Sequence, residues 1–202
     1  MFQSLTSAHR AGRGSGLTLI EVMVVVAVMA TLIALTAPSF KRMIDLQRLR
    51  SLNAALVTDM QFARTEAASR NQLVLVRFDK TGTALTCYVL LAGDHTACDC
   101  KRPLGTNVCT GSTREIRTVQ VDRSLGITVG VPASQTLTTM GFDPATGRLM
   151  VVPIDLPEPA TVPFLIEAKN DAIGGFVNSI EATGRPTVCS PSGQISGVTA
   201  CP

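Results

Sequence analysis

The chain has 202 residues, with 18 Lys and Arg against 15 Asp and Glu, a formal charge of +3, and 46% hydrophobic content. Mean hydropathy is +0.29, yet aromatics supply only 4% and tryptophan none, so the excess is aliphatic and concentrated. These figures exclude a disordered tail, a polytopic membrane protein and a strongly basic nucleic-acid packager.

Met1–Gly16 carries Arg10, Arg13 and His9, no acid, and ends in a small-residue stretch, as the charged start of an export signal does. From Leu17 to Phe40 the only charge is Glu21, and 19 uncharged residues separate Glu21 from Lys41. At the helical rise they span roughly 28 Å, against a hydrocarbon core of about 30 Å. This predicts one membrane-spanning helix; a core helix of a globular protein rarely stays apolar for so long. Arginine and lysine counting alone would hold the C-terminal part inside the cell, because Lys41, Arg42, Arg48 and Arg50 follow the run. The six cysteines argue the reverse, since stable disulfides need an oxidising space.

Gly16-Leu17-Thr18-Leu19-Ile20-Glu21, opening the apolar run, resembles the type IV prepilin signal. The resemblance implies cleavage between Gly16 and Leu17 by prepilin peptidase on the cytoplasmic side, methylation of the new N-terminus, and retention of the apolar helix. Leu17 stands where family members most often carry Phe or Met. A carboxylate within a bilayer costs about 2.5–3.5 kcal/mol, so Glu21 needs a reason. Cleavage would create an α-ammonium one helical turn away. In pilins such a glutamate is thought to pair with the amine of a neighbouring subunit during assembly. Pro38 sits where pilin helices carry a kinking proline, and reads equally well as the membrane exit.

Beyond Pro38 the pattern turns amphipathic: Leu46, Leu49, Leu56, Met60, Ala63 and Ala67 recur at helical spacing, interrupted by Asn53. One helix from about Thr18 to Arg70, roughly 80 Å long, is expected to lay its second half on a globular head. From Gln72 alternation replaces the helical period. Candidate strands are Leu73–Phe78, Ala84–Leu91, Glu115–Val121, Ile127–Val131, Leu137–Phe142, Leu149–Val152, Phe164–Ala168 and Phe176–Glu181. Asp143-Pro144-Ala145-Thr146-Gly147 reads as a hairpin loop, and the Pro-rich Val152–Pro163 as an edge or crossing loop.

Two further stretches narrow the resemblance. Met60 to Ala67, followed by Arg70-Asn71, is similar to the helix-to-sheet passage of the GspH/FimT group of minor pilins and pseudopilins. Gly141 to Pro144, through Gly147-Arg148, is similar to that group's later hairpin. The implied fold is α+β and pilin-like, a long N-terminal helix packed on an antiparallel β-rich head. The organisation follows as a leader (1–16), a membrane and filament-core helix (17–40), an amphipathic helix half (41–71) and a periplasmic head (72–202). The implied protein is a non-catalytic inner-membrane subunit, N-terminus cytoplasmic and head periplasmic. It would enter the tip of a type IV pilus or type II secretion pseudopilus. Its implied partners are prepilin peptidase, inner-membrane lipid and other minor and major pilins or pseudopilins.

All six cysteines lie in the head: Cys87, Cys98, Cys100, Cys109, Cys189 and Cys201. Fifteen pairings are possible. Local spacing favours Cys189–Cys201, closing a loop rich in Ser, Gly and Pro, and leaves the other four to pin the chain around Asp99. Zinc held by His95, Cys98, Cys100 and Cys109 is the competing reading, without a CxxC pair to support it. No cofactor or metal is otherwise implied.

Some FimT-type minor pilins bind DNA through a C-terminal Gly-Arg-x-Arg stretch. Gly184 and Arg185 match it, whereas Thr187 replaces the second arginine. From Asn71 onward ten basic residues face eleven acidic ones, which leaves little positive charge for phosphates. The alternative is an arginine closing a turn before the last strand. A signal-anchored periplasmic enzyme is the remote third reading. With only His9 and His95, and no nucleophile-elbow, HExxH or phosphate-loop pattern, no catalytic residue is assigned.

Overall fold

A computed structural model describes residues 18–202, apart from 81, 104, 154, 155, 192 and 194 and the side chains of 36–38. The leader, the Gly16–Leu17 junction and the Pro38 side chain with its expected kink lie outside the described residues. The chain divides into two compact units, one ending at Lys41 and one spanning Arg42–Pro202.

Helix α1 runs Leu19–Arg70. Thr18 caps its start, where Oγ1 accepts from the Glu21 N–H at 3.3 Å. Its end is set by Asn71, which adopts the left-handed conformation at φ 51. There Gln72 N donates to Ala67 O at 3.2 Å and Asn71 N to Ala68 O at 3.4 Å, the double closure of a Schellman motif. In the first unit every side chain from Thr18 to Leu35 is exposed. No single helix among the described residues is long and apolar enough to cross a membrane. The segments Leu19–Leu35 and Ser39–Arg70 meet that requirement together, by length and composition.

In the second unit, the part of α1 from Arg42 onward packs on antiparallel strands. These are β1 (Val74–Phe78), β2 (Leu85–Ala92), β3 (Arg114–Asp122), β4 (Ile127–Gly130) and β5 (Thr139–Phe142), then β6 (Leu149–Val151), β7 (Glu158–Pro159), β8 (Phe164–Asn170), β9 (Gly174–Ile180) and β10 (Pro186–Cys189). They form a six-stranded sheet, β3-β2-β1-β5-β6-β7, and a four-stranded sheet, β10-β9-β8-β4. All eight expected strands are present with shifted ends. Two lie beyond those eight: β7, two residues within the Pro-rich loop, and β10, the last strand that the turn reading of Arg185 implied without bounds.

Leu49, Leu56, Met60, Ala63 and Ala67 are fully buried in one core with residues of both sheets, including Val76, Leu90, Met140 and Ile166. Burying each large side chain of that stripe contributes about 1.5–3 kcal/mol. Register keeps the core face continuous: Val76 lies opposite Leu90 on one side and Met140 on the other. The opposite face of the six-stranded sheet carries a smaller cluster of Leu75, Val89 and Leu91 with Cys87, Cys98, Cys100, Val108 and Cys109. The loop between β2 and β3 supplies that cover, because it is stapled down.

Candidate functional site

The cysteines are joined as Cys87–Cys100, Cys98–Cys109 and Cys189–Cys201. The last is the pairing favoured by spacing. The first two interlock around Asp99, so the sulfurs of the zinc reading are all in disulfides. His95 opens a short 3-10 turn capped by Asp94, whose carboxylate accepts from both the N–H and the hydroxyl of Thr96. Those hydrogen bonds hold the Asp94 carboxyl below the usual carboxylate range.

Glu21 lies in the first turn of α1 and is exposed with its apolar neighbours. Arg185 is exposed in the turn between β9 and β10. There Gly184 N donates to Glu181 O at 2.7 Å and Glu181 N to Arg185 O at 3.2 Å. Gly184 has φ +77, and a Cβ on it would lie 2.4 Å from Gly147 O, so the turn is pressed against the 143–147 hairpin. A Cβ on Gly147 would in turn meet Arg64 Nε at 2.7 Å. Leu149 N donates to Ala182 O at 3.0 Å and joins the two turns.

The hairpin is built by Asp143, which accepts from the N–H and hydroxyl of Thr146 at 2.8 and 2.7 Å; this lowers its carboxyl pKa. Arg64 of α1 lies against Gly147, and Arg148 and Arg185 directly follow the two packed glycines in the chain. Among the described residues, none of the three guanidinium groups has a hydrogen-bond or ion-pair partner. The sequence motif pointed at Arg185 alone; the neighbours come from positions 121 and 37 residues away in the chain.

Polar groups within the core were not legible from patterning. Asp59 on α1 is 1% exposed and accepts from Tyr88 OH on β2 at 2.7 Å. Arg117 Nη1 on β3 stands 2.8 Å from Asp59 Oδ1, a charge contact without hydrogen-bond alignment. Burial first, and then the Asp59 carboxylate, drive the Tyr88 pKa well above the usual tyrosine value. Asn53, the break in the apolar stripe, accepts from Asn178 Nδ2 at 2.7 Å. Further along α1, Glu66 accepts from Arg70 and from Arg114 on β3. The helix is therefore tied to both sheets by polar contacts at several levels.

A helix exposing one apolar length and sinking a stripe of its other length into an antiparallel head is the architecture of a pilin-like subunit. The sequence profile of the family described as Type II transport protein GspH matches residues 53–168, and the chain belongs to that family. Two crystal structures of the type IV minor pilin FimU from Pseudomonas aeruginosa PAO1 resemble it. One is 18% identical, covers 70% of this chain and 88% of FimU, and has a TM-score of 0.45. The other is 17% identical, covers 69% and 91%, and has a TM-score of 0.43. No curated protein sequence matches the chain.

Proposed function

We propose that the chain is a non-catalytic filament subunit, processed by prepilin peptidase between Gly16 and Leu17. It is stored as a single-pass protein of the inner membrane, then incorporated near the tip of a type IV pilus or type II secretion pseudopilus. Residues 1–16 are the leader, 17–40 the membrane and filament-core helix, 41–71 the amphipathic half and 72–202 the periplasmic head. The observation that carries this reading is the contrast along α1: apolar side chains from Leu19 to Leu35 all exposed, and the Leu49–Ala67 stripe buried. An exposed aliphatic helix needs lipid or neighbouring helices as its surroundings. Assembly exchanges the first for the second, and Glu21 meets a neighbour's α-ammonium so that its charge is not stranded. Membership of the GspH family supports the reading.

Intact-mass measurement of the mature protein tests it: loss of Met1–Gly16 is expected, and a full-length mature chain refutes it. Glu21→Ala should abolish or reduce assembly while leaving membrane insertion unchanged.

A second reading, DNA binding, has one specific observation in its favour: unpaired Arg64 lies against Gly147, and unpaired Arg148 and Arg185 each follow one of the packed glycines Gly147 and Gly184. Three phosphate contacts would give a salt-dependent affinity with a slope near three in log–log form. A mobility shift of the detergent-solubilised chain, compared with Arg185→Ala, tests this. No shift at low salt disposes of it.

A further inference from the structure

We propose that the stretch of α1 just past the apolar run binds anionic phospholipid headgroups, with Arg42 and Arg48 holding the phosphates. This rests on the membrane-inserted reading above and names the lipid class that reading leaves open. The helix carries six basic and three acidic residues from Lys41 to Arg70; of the four basic residues besides Arg42 and Arg48, Arg50 and Arg70 are engaged within the head, and Lys41 is exposed beside Arg42. Arg50 Nη2 donates to Ser196 O at 3.2 Å, Arg70 pairs with Glu66, and Arg64 lies against Gly147. Arg42 and Arg48 are exposed, and among the described residues their guanidinium groups have no hydrogen-bond or ion-pair partner. Asp45, the nearest acid along the helix, makes no ion pair with either. Met43, between them, is exposed and apolar.

Geometry directs these two arginines toward the bilayer. Cα–Cβ bonds of a helix tilt toward its N-terminus, so side chains at 42 and 48 lean toward the N-terminal side of their own turns. In sequence Arg42 follows Phe40 by two residues and Arg48 by eight, about 3 and 12 Å of helical rise. A headgroup layer of roughly 5–7 Å per leaflet is within reach of both, given the length of an arginine stem that snorkels. The two positions lie about 120° apart around the helix, so they hold separate lipids. The proposal also accounts for a charge arrangement that opposes orientation counting. Cations on the exported side gain attraction from anionic headgroups there, and guanidinium suits phosphate by its bidentate donors.

The absence of tryptophan supplies a clean probe. The full chain carrying Met43→Trp is reconstituted into vesicles of brominated phosphatidylglycerol mixed with plain phosphatidylcholine, or the reverse. Quenching should show a preference for phosphatidylglycerol of about fivefold per arginine at low salt, weakened at high salt. Arg42→Gln and Arg48→Gln should each remove about fivefold, while quenching by phosphatidylcholine persists. Equal quenching by both lipids, or a preference undiminished in the double variant, overturns the proposal and leaves membrane insertion standing. Displacement of phosphatidylglycerol by millimolar inorganic phosphate also overturns it, because the face would then be a general anion site. A chain that neither floats with vesicles nor is quenched by either lipid refutes the membrane-inserted reading itself.

Discussion

Asn178 Nδ2 on β9 donates to Asn53 Oδ1 on α1 at 2.7 Å, with both side chains buried. One residue breaks the apolar stripe of the helix, and its answer lies 125 positions away on the four-stranded sheet. A helix shifted by one turn would strand both amides in the core, so the pair fixes where the helix lies on the head.

The consequence is measurable. Asn53→Ala leaves the Asn178 amide without its acceptor and should cost about 1–3 kcal/mol in denaturant unfolding of the head. Asn53→Leu together with Asn178→Leu removes both polar groups at similar volume, and should cost less than Asn53→Ala. Equal losses in the single and double variants would mean that the contact contributes packing only.

The Asp59–Tyr88–Arg117 group gives a pH signature. Tyr88 has its folded pKa raised above the unfolded value near 10.0, so its contribution is fully present below pH 10. Above that, the unfolded chain loses the tyrosine proton while the folded chain keeps it, and stability falls by about 1.4 kcal/mol per pH unit. Tyr88→Phe should flatten that slope relative to the parent between pH 10 and 11, with denaturant midpoints as the readout. Arg117 is half-exposed, so its charge contact with Asp59 is screened by solvent, and Arg117→Met should cost about 1 kcal/mol at neutral pH.

The Cys189–Cys201 bridge closes a loop of sequence separation 12, within which Ile195 is buried in the main core. Replacing both cysteines by serine should lower head stability by about 3 kcal/mol. Arg50 still holds Ser196 in that variant, so a further Arg50→Ala should add a loss of about 1 kcal/mol. Unfolding midpoints of the three proteins under non-reducing conditions check both steps.

Periodicity made the helix stripe and eight strands legible, and spacing the C-terminal disulfide, because each is a pattern local in sequence. β10 was implied only by the turn at Arg185 and had no bounds: it is four residues long, begins with Pro186 and ends in a bridged cysteine, so it carries little alternation of its own. β7 is shorter still, and exists only because Met150 and Val151 present an edge to Glu158 and Pro159. Asp59 carried no signal of its own in the sequence, because its partners, Tyr88 and Arg117, are supplied by strands that only the tertiary fold brings to it. Arg64 and Arg148 escaped notice beside Arg185 for the same reason.

Gly184 separates the structural from the ligand-binding role of that arginine region. Its φ of +77 disfavours any side chain, and a Cβ would approach Gly147 O to 2.4 Å, so the two turns must part to admit one. Gly184→Ala should therefore cost about 1–3 kcal/mol of head stability. Arg185→Ala, on an exposed side chain without partners, should change stability by no more than about 0.5 kcal/mol. If the region contacts phosphates, Arg185→Ala weakens DNA retention at unchanged stability. Gly184→Ala then loses both, because it moves Arg185 away from Arg64 and Arg148. If the region only closes a turn, Gly184→Ala alone has an effect, and it appears in unfolding with no change in any mobility shift.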